Sequence, residues 1–157
     1  MQRSDAACLS LIIVLALGLG CSSRDKQTFS TPRANYTVYW TGRQPTRVEC
    51  TGSDIPGGRV RIDIERGHKR KEVLINNEHG AIWSREILTP GQNRGSSLGV
   101  TFHEESQFNA PYFIQNQEWR FETNGMIIYR EETQKHKSGQ LYKETFFGPF
   151  GIELKRS

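Results

Sequence analysis

Arg59-Val60-Arg61-Ile62-Asp63-Ile64-Glu65-Arg66 alternates apolar and charged side chains at every second position. In an extended chain Val60, Ile62 and Ile64 fall on one face, and Arg61, Asp63 and Glu65 on the other. One buried face and one wet face is the pattern of an antiparallel sheet lying on a core.

The same period continues on both sides of this strand. Downstream, the turn Gly67-His68-Lys69-Arg70-Lys71 leads into a strand over 72–76. Asn77-Glu78-His79-Gly80 then turns the chain into a strand over 81–88, which makes a three-stranded meander. Upstream, Tyr36, Val38 and Trp40 share one face of a strand, Gly42 to Pro45 form a turn, and Thr46 to Thr51 form the next strand. A loop at 52–58 contains Pro56-Gly57-Gly58. Further on, a loop is expected over 89–95, a strand over 97–103, and a loop over 104–111, with a short strand or a turn over 111–117. The stretches 119–123 and 126–131 flank Asn124-Gly125, a strong signal for a two-residue hairpin turn. The chain ends with strands over 140–147 and 151–155, and no segment longer than two turns has helical spacing. The expected fold is all-β: a single antiparallel β-sandwich or small barrel of about nine or ten short strands over residues 35–157.

Composition narrows the class of protein. A mean hydropathy of −0.63 with 24% charged residues excludes a polytopic membrane protein, and 10% aromatic residues are too many for a disordered tail. The formal charge of +4 and a pI near 9.1 lean mildly toward anionic surfaces, such as lipid headgroups or wall polymers.

The N-terminus carries an address. Arg3 precedes an apolar run from Leu9 to Leu19, which is shorter than the roughly 20 apolar residues that span a bilayer. The run closes on Leu17-Gly18-Leu19-Gly20-Cys21, followed by Ser22 and Ser23. This stretch resembles the lipobox of bacterial lipoproteins, in the permissive form with Leu17 rather than Gly18 as the large apolar residue. The resemblance implies that residues 1–20 are a lipoprotein-type signal peptide and that Cys21 becomes the diacylated first mature residue. Serine after that cysteine implies sorting to the outer rather than the inner membrane. Gly18-Leu19-Gly20 also fits ordinary signal peptidase, whose product would be secreted or periplasmic and soluble. Residues 21–34 are polar and read as a tether. Removal of residues 1–20 leaves 137 residues, enough for one domain with its own core.

Of the three cysteines, Cys8 lies in the signal and Cys21 is the lipid-attachment residue, so Cys50 stands alone in the domain. Its strand-like setting points to a buried thiol rather than a nucleophile. If Cys21 is not acylated, it could pair with Cys50.

Catalytic patterns are sparse. Gly95-Ser96-Ser97-Leu98-Gly99 matches the G-x-S-x-G nucleophile elbow, with Glu104 or Glu118 as the acid and His136 as the base of an envelope hydrolase. However, a loop precedes this serine and a strand follows it, the reverse of the strand–turn–helix that the elbow requires. His68, His79, His103 and His136 are scattered without metal-ligand spacing. Glu104-Glu105 and Glu131-Glu132 are adjacent pairs that an extended chain points to opposite faces. No catalytic residue, cofactor or metal is therefore expected.

The basic tip His68-Lys69-Arg70-Lys71, flanked by Arg66, is either a contact for anionic lipid or polymer or a solvated hairpin end. Nucleic acid is a poor partner for an exported protein whose aromatics do not interleave with this patch. Trp40, Trp83 and Trp119 fall on strands, where core packing suits them better than sugar stacking. The leading expectation is a lipid-anchored cell-envelope protein, held to the membrane by its N-terminal acyl chains. Its β-domain would bind an envelope protein or anionic polymer, or give structural support. The alternative is a small-ligand carrier with a pocket inside a barrel.

Overall fold

Strand β4, Arg59–Arg66, is central in the first of two antiparallel sheets, and Val60, Ile62 and Ile64 are all buried. The computed structural model describes residues 25–157, except for the side chains of 93, 94, 96 and 97. The expected signal peptide, Cys21 and the first part of the expected tether lie outside the described residues.

The first sheet is a seven-stranded meander in chain order: β1 Asp25–Ser30, β2 Asn35–Thr41, β3 Gln44–Thr51, β4, β5 Lys71–Asn76, β6 Ile82–Thr89 and β7 Gln92–Ser97. The second is a five-stranded meander: β8 Val100–Asn109, β9 Tyr112–Phe121, β10 Ile127–His136, β11 Leu141–Phe147 and β12 Glu153–Leu154. Only Leu98-Gly99 separates β7 from β8, so the chain completes one sheet before starting the other. The two sheets do not close into a barrel; the architecture is an open sandwich.

Its core is drawn from both inner faces. Val38, Val48, Val60, Ile62, Val73 and Ile75 of the first sheet and Trp119, Tyr129 and Phe146 of the second form one buried cluster. Removing each of these aliphatic side chains from water contributes about 1.5–3 kcal/mol, which drives the two faces together. Among the described residues no helix is long and apolar enough to cross a membrane.

The structure corrects five local expectations, the first being the strand over 97–103, which is broken at Leu98-Gly99 where one sheet ends and the other begins. Asp25–Ser30, assigned to the polar tether, is strand β1, paired residue for residue with β2. Its one large apolar side chain, Phe29, stacks on Tyr36 with ring centroids 4.7 Å apart. Backbone pairing needs no apolar pattern, and an edge strand is half wet, so composition hid it. Residues 92–95, expected in a loop, belong to β7, and the real turn is only Pro90-Gly91, with Gly91 at φ +74°.

The expected loop over 104–111 is mostly the outer half of β8. Glu104 to Asn109 is exposed on both faces and therefore shows no alternation, yet it pairs with β9 through to Asn109↔Tyr112. Finally, Asn124-Gly125 does not form a two-residue hairpin turn. Arg120 pairs with Ile127, and residues 122–126 make a wider turn closed by Phe121 N–H to Met126 O at 3.0 Å and Gly125 N–H to Phe121 O at 2.9 Å. Asn124 Oδ1 accepts from Met126 N–H at 3.0 Å, a local Asx contact that competes with the tight turn.

Candidate functional site

The inward phase of β4 extends past Ile64 to Arg66, and that of β5 starts at Lys71, before Val73 and Ile75. The hydrophobic stripe of each strand therefore ends on a cation at the turn. These two residues pair directly across the hairpin. On the facing sheet, β10 places Glu131 two residues after Tyr129, again on the inner face. Both cations close on this one carboxylate: Arg66 Nη2 donates to Oε1 and Lys71 Nζ to Oε2. Tyr129 O–H donates to Oε1 at 2.7 Å, Lys71 also donates to Gln117 Oε1, and Arg66 Nη1 donates to the Pro45 carbonyl at 2.7 Å.

The Glu131 side chain is only 7% exposed, and those of Lys71 and Arg66 are 17% and 18% exposed. Burial pushes the Glu131 carboxyl up. The Lys71 and Arg66 charges, with hydrogen bonds from Lys71 and Tyr129, outweigh that and hold it below the ordinary carboxylate value.

Above this charged floor lies an open cleft of about 750 Å³, lined by residues of both sheets. Its walls carry the amides of Gln44, Gln115 and Gln117, the hydroxyl of Thr133 and the carboxylates of Glu104 and Glu144. Lys69, Arg70 and Lys135 stand at the rim. The wall groups are already held in place. Gln117 Nε2 and Gln115 Nε2 donate to Glu104 Oε2 at 2.6 and 3.2 Å, and Gln44 Nε2 donates to Glu144 Oε2 at 3.0 Å across the two sheets. Such a surface can exchange several neutral and charged hydrogen bonds with a polar ligand.

The basic tip therefore divides. His68, Lys69 and Arg70 are exposed, while Lys71 and Arg66 turn inward to Glu131. The carboxylate pairs divide as well. Glu131 is internal while Glu132 accepts from Gln134 at 2.8 Å, and Glu104 faces Gln115 and Gln117 while Glu105 is exposed. Cys50 is fully buried on β3, and burial pushes its thiol up to about 12. Trp40 and Trp119 are buried, and Trp83 packs edge-on against Phe121 at 4.9 Å.

Ser97 ends β7, and Gly99 (φ +78°) turns the backbone into β8, so the Gly-Ser-Ser-Leu-Gly segment lies in a strand–turn–strand. Gly95 has a packing role there. A Cβ at this position would fall 1.8 Å from Glu86 Oε2 and 2.6 Å from the Arg85 carbonyl oxygen. The histidines do not converge: His68 and His79 occupy turns at opposite ends of β5, His103 is exposed on β8, and His136 packs against both Tyr112 and Tyr142 at the end of β10. Among the described residues no group of His, Cys, Asp or Glu is arranged to hold a metal ion.

Motif reading named all three residues of the Arg66–Lys71–Glu131 cluster, Arg66 and Lys71 with the basic tip and Glu131 with a carboxylate pair, but did not bring them together. Its signal was phase: each of the three sits where a strand's buried stripe calls for an apolar residue. No protein-family model, curated protein or solved structure matches this chain.

Proposed function

We propose that the protein is an exported, lipid-anchored component of the cell envelope, with Cys21 as the acylated residue. Its sandwich would be a nonenzymatic binding module, gripping a hydroxyl-rich, anionic polymer segment in the cleft between the sheets. The observation that carries the binding role is the cleft floor. A buried carboxylate held by two largely covered cations contributes little net stability compared with an apolar core of the same shape, so its place beneath an open groove carrying three amides favours recognition over support. Paired amides and carboxylates suit hydroxyl groups, and the rim cations suit phosphate or carboxylate groups. The polar groups on those walls, in an open cleft rather than an enclosed barrel interior, favour a polymer over the apolar cargo of a carrier.

Titration calorimetry of the purified chain against anionic envelope polysaccharide tests the cleft. Gln115→Ala and Lys69→Ala should each weaken binding, because both side chains lie at the cleft and neither belongs to the buried charge cluster. Equal affinity in the parent and both variants would overturn the assignment. The anchor is tested separately by mass spectrometry of the N-terminus of protein from its native host. An acylated Cys21 is expected, and an intact Met1 overturns it.

A further inference from the structure

Four of the six large hydrophobic residues that are exposed among the described residues gather at one end of the second sheet. Phe108 (55% exposed) and Phe113 (47%) face each other across the β8–β9 tip, and Leu141 (49%) and Tyr142 (54%) begin β11 at the β10–β11 tip. Tyr142 stacks on Tyr112 at 4.4 Å, which joins the two hairpins. These ends reach past the β2–β3 turn of the first sheet. Gln44 lies level with Glu144 through their 3.0 Å hydrogen bond, and β11 continues three residues beyond it to Leu141, about 10 Å further at about 3.3 Å per residue.

The turns at this end carry Arg43, Lys69, Arg70 and Lys137 and no carboxylate, and Lys135 and Lys143 lie in the strands beside the β10–β11 turn; Arg70 also lies 3.7 Å from Glu72, and Lys143 is followed by Glu144. At the opposite end the turns carry Arg33 against Asp54, Glu78 and Glu122. The chain also enters the domain at the basic end: β1 starts at Asp25, opposite Trp40, whose partner on the next strand is Pro45. Asp25 is itself paired with Arg156. Asp25 is only four positions after Cys21, a reach of at most about 14 Å.

We infer that the β8–β9 and β10–β11 tips form a membrane-docking surface that seats this end of the sandwich on an anionic lipid bilayer. Exposed aromatic rings suit the headgroup boundary, and surrounding lysines suit its negative potential. The short link to Cys21 allows the anchor and the tips to reach the same plane. The seated orientation rests on the lipid anchor proposed above; the affinity of the tips for lipid does not.

The full chain carrying Phe108→Trp, and separately Tyr142→Trp, is reconstituted into vesicles of phosphatidylglycerol and phosphatidylethanolamine with brominated acyl chains. Asn124→Trp at the opposite end is the control. In protein that floats with the vesicles, the emission added by either tip tryptophan should shift to the blue and be quenched, and that added by Asn124→Trp should not. Adding Lys135→Glu with Lys137→Glu should reduce the quenching. Flotation without preferential quenching at the tips overturns the docking surface and leaves the anchor standing. Failure to float overturns the anchor. In that event, quenching of the tip tryptophans when vesicles are added to the protein still supports docking, and its absence there overturns it.

Discussion

Arg66 and Lys71 stand directly opposite each other at the mouth of the β4–β5 hairpin and hold the two oxygens of a single carboxylate, Glu131, on the facing sheet. The contact joins the two sheets just where their apolar packing ends.

Glu131→Gln leaves two cations uncompensated in a site that water barely reaches. It should lower stability by about 3 kcal/mol at neutral pH, read from urea midpoints. The folded-state pKa of Glu131 is depressed, so its contribution is complete above the unfolded value and is lost as pH falls through the folded one. The gap between parent and variant should therefore close in acid. Replacing all three charges with Met, Met and Leu should cost less than Glu131→Gln alone.

Glu86 behaves in the opposite sense. It is 7% exposed on β6, with Ser84 O–H donating to it at 3.1 Å and no ion pair among the described residues. Burial raises its pKa and the Ser84 bond offsets only part of this. The folded state thus binds the proton more tightly than the unfolded state, and stability falls as pH rises above the ordinary carboxylate value. Glu86→Gln should raise the melting temperature at neutral pH, with the gain shrinking in acid. Gly95→Ala should cost about 1–3 kcal/mol through overpacking, and Glu86→Ala should relieve only part of that, because the Arg85 carbonyl remains in the way.

Trp119 is fully buried between Phe102, at 4.9 Å, and Tyr129, at 5.6 Å. Trp119→Ala opens a cavity beside the charged floor and should cost about 3–5 kcal/mol by chemical denaturation.

Cys50 should resist iodoacetamide in the folded protein and react fully in urea, as followed by mass spectrometry. Burial both blocks access and suppresses the thiolate that would attack.

Several elements were legible along the chain because one face of each was dry and the other wet. The alternation in 59–66 and the run Tyr36, Val38, Trp40 named their own buried faces, and the burial of Cys50 followed from the same period. Strand β1 and the outer half of β8 were not legible, because they are held by backbone pairing at sheet edges, where side chains carry no pattern. The width of the turn at Asn124-Gly125 depended on which residues of β9 and β10 pair, and a dipeptide does not encode that.

By itself the sequence determined the all-β class, the central strand and its inward face, and the separation of charge from core on that strand. These follow from a two-residue period that any extended chain must obey. Only the tertiary structure decided between an open sandwich and a closed barrel, and it alone brought Arg66 and Lys71 to Glu131, which lies 65 and 60 residues away. That meeting depends on how two complete meanders stack, a long-range packing choice that no local spacing records.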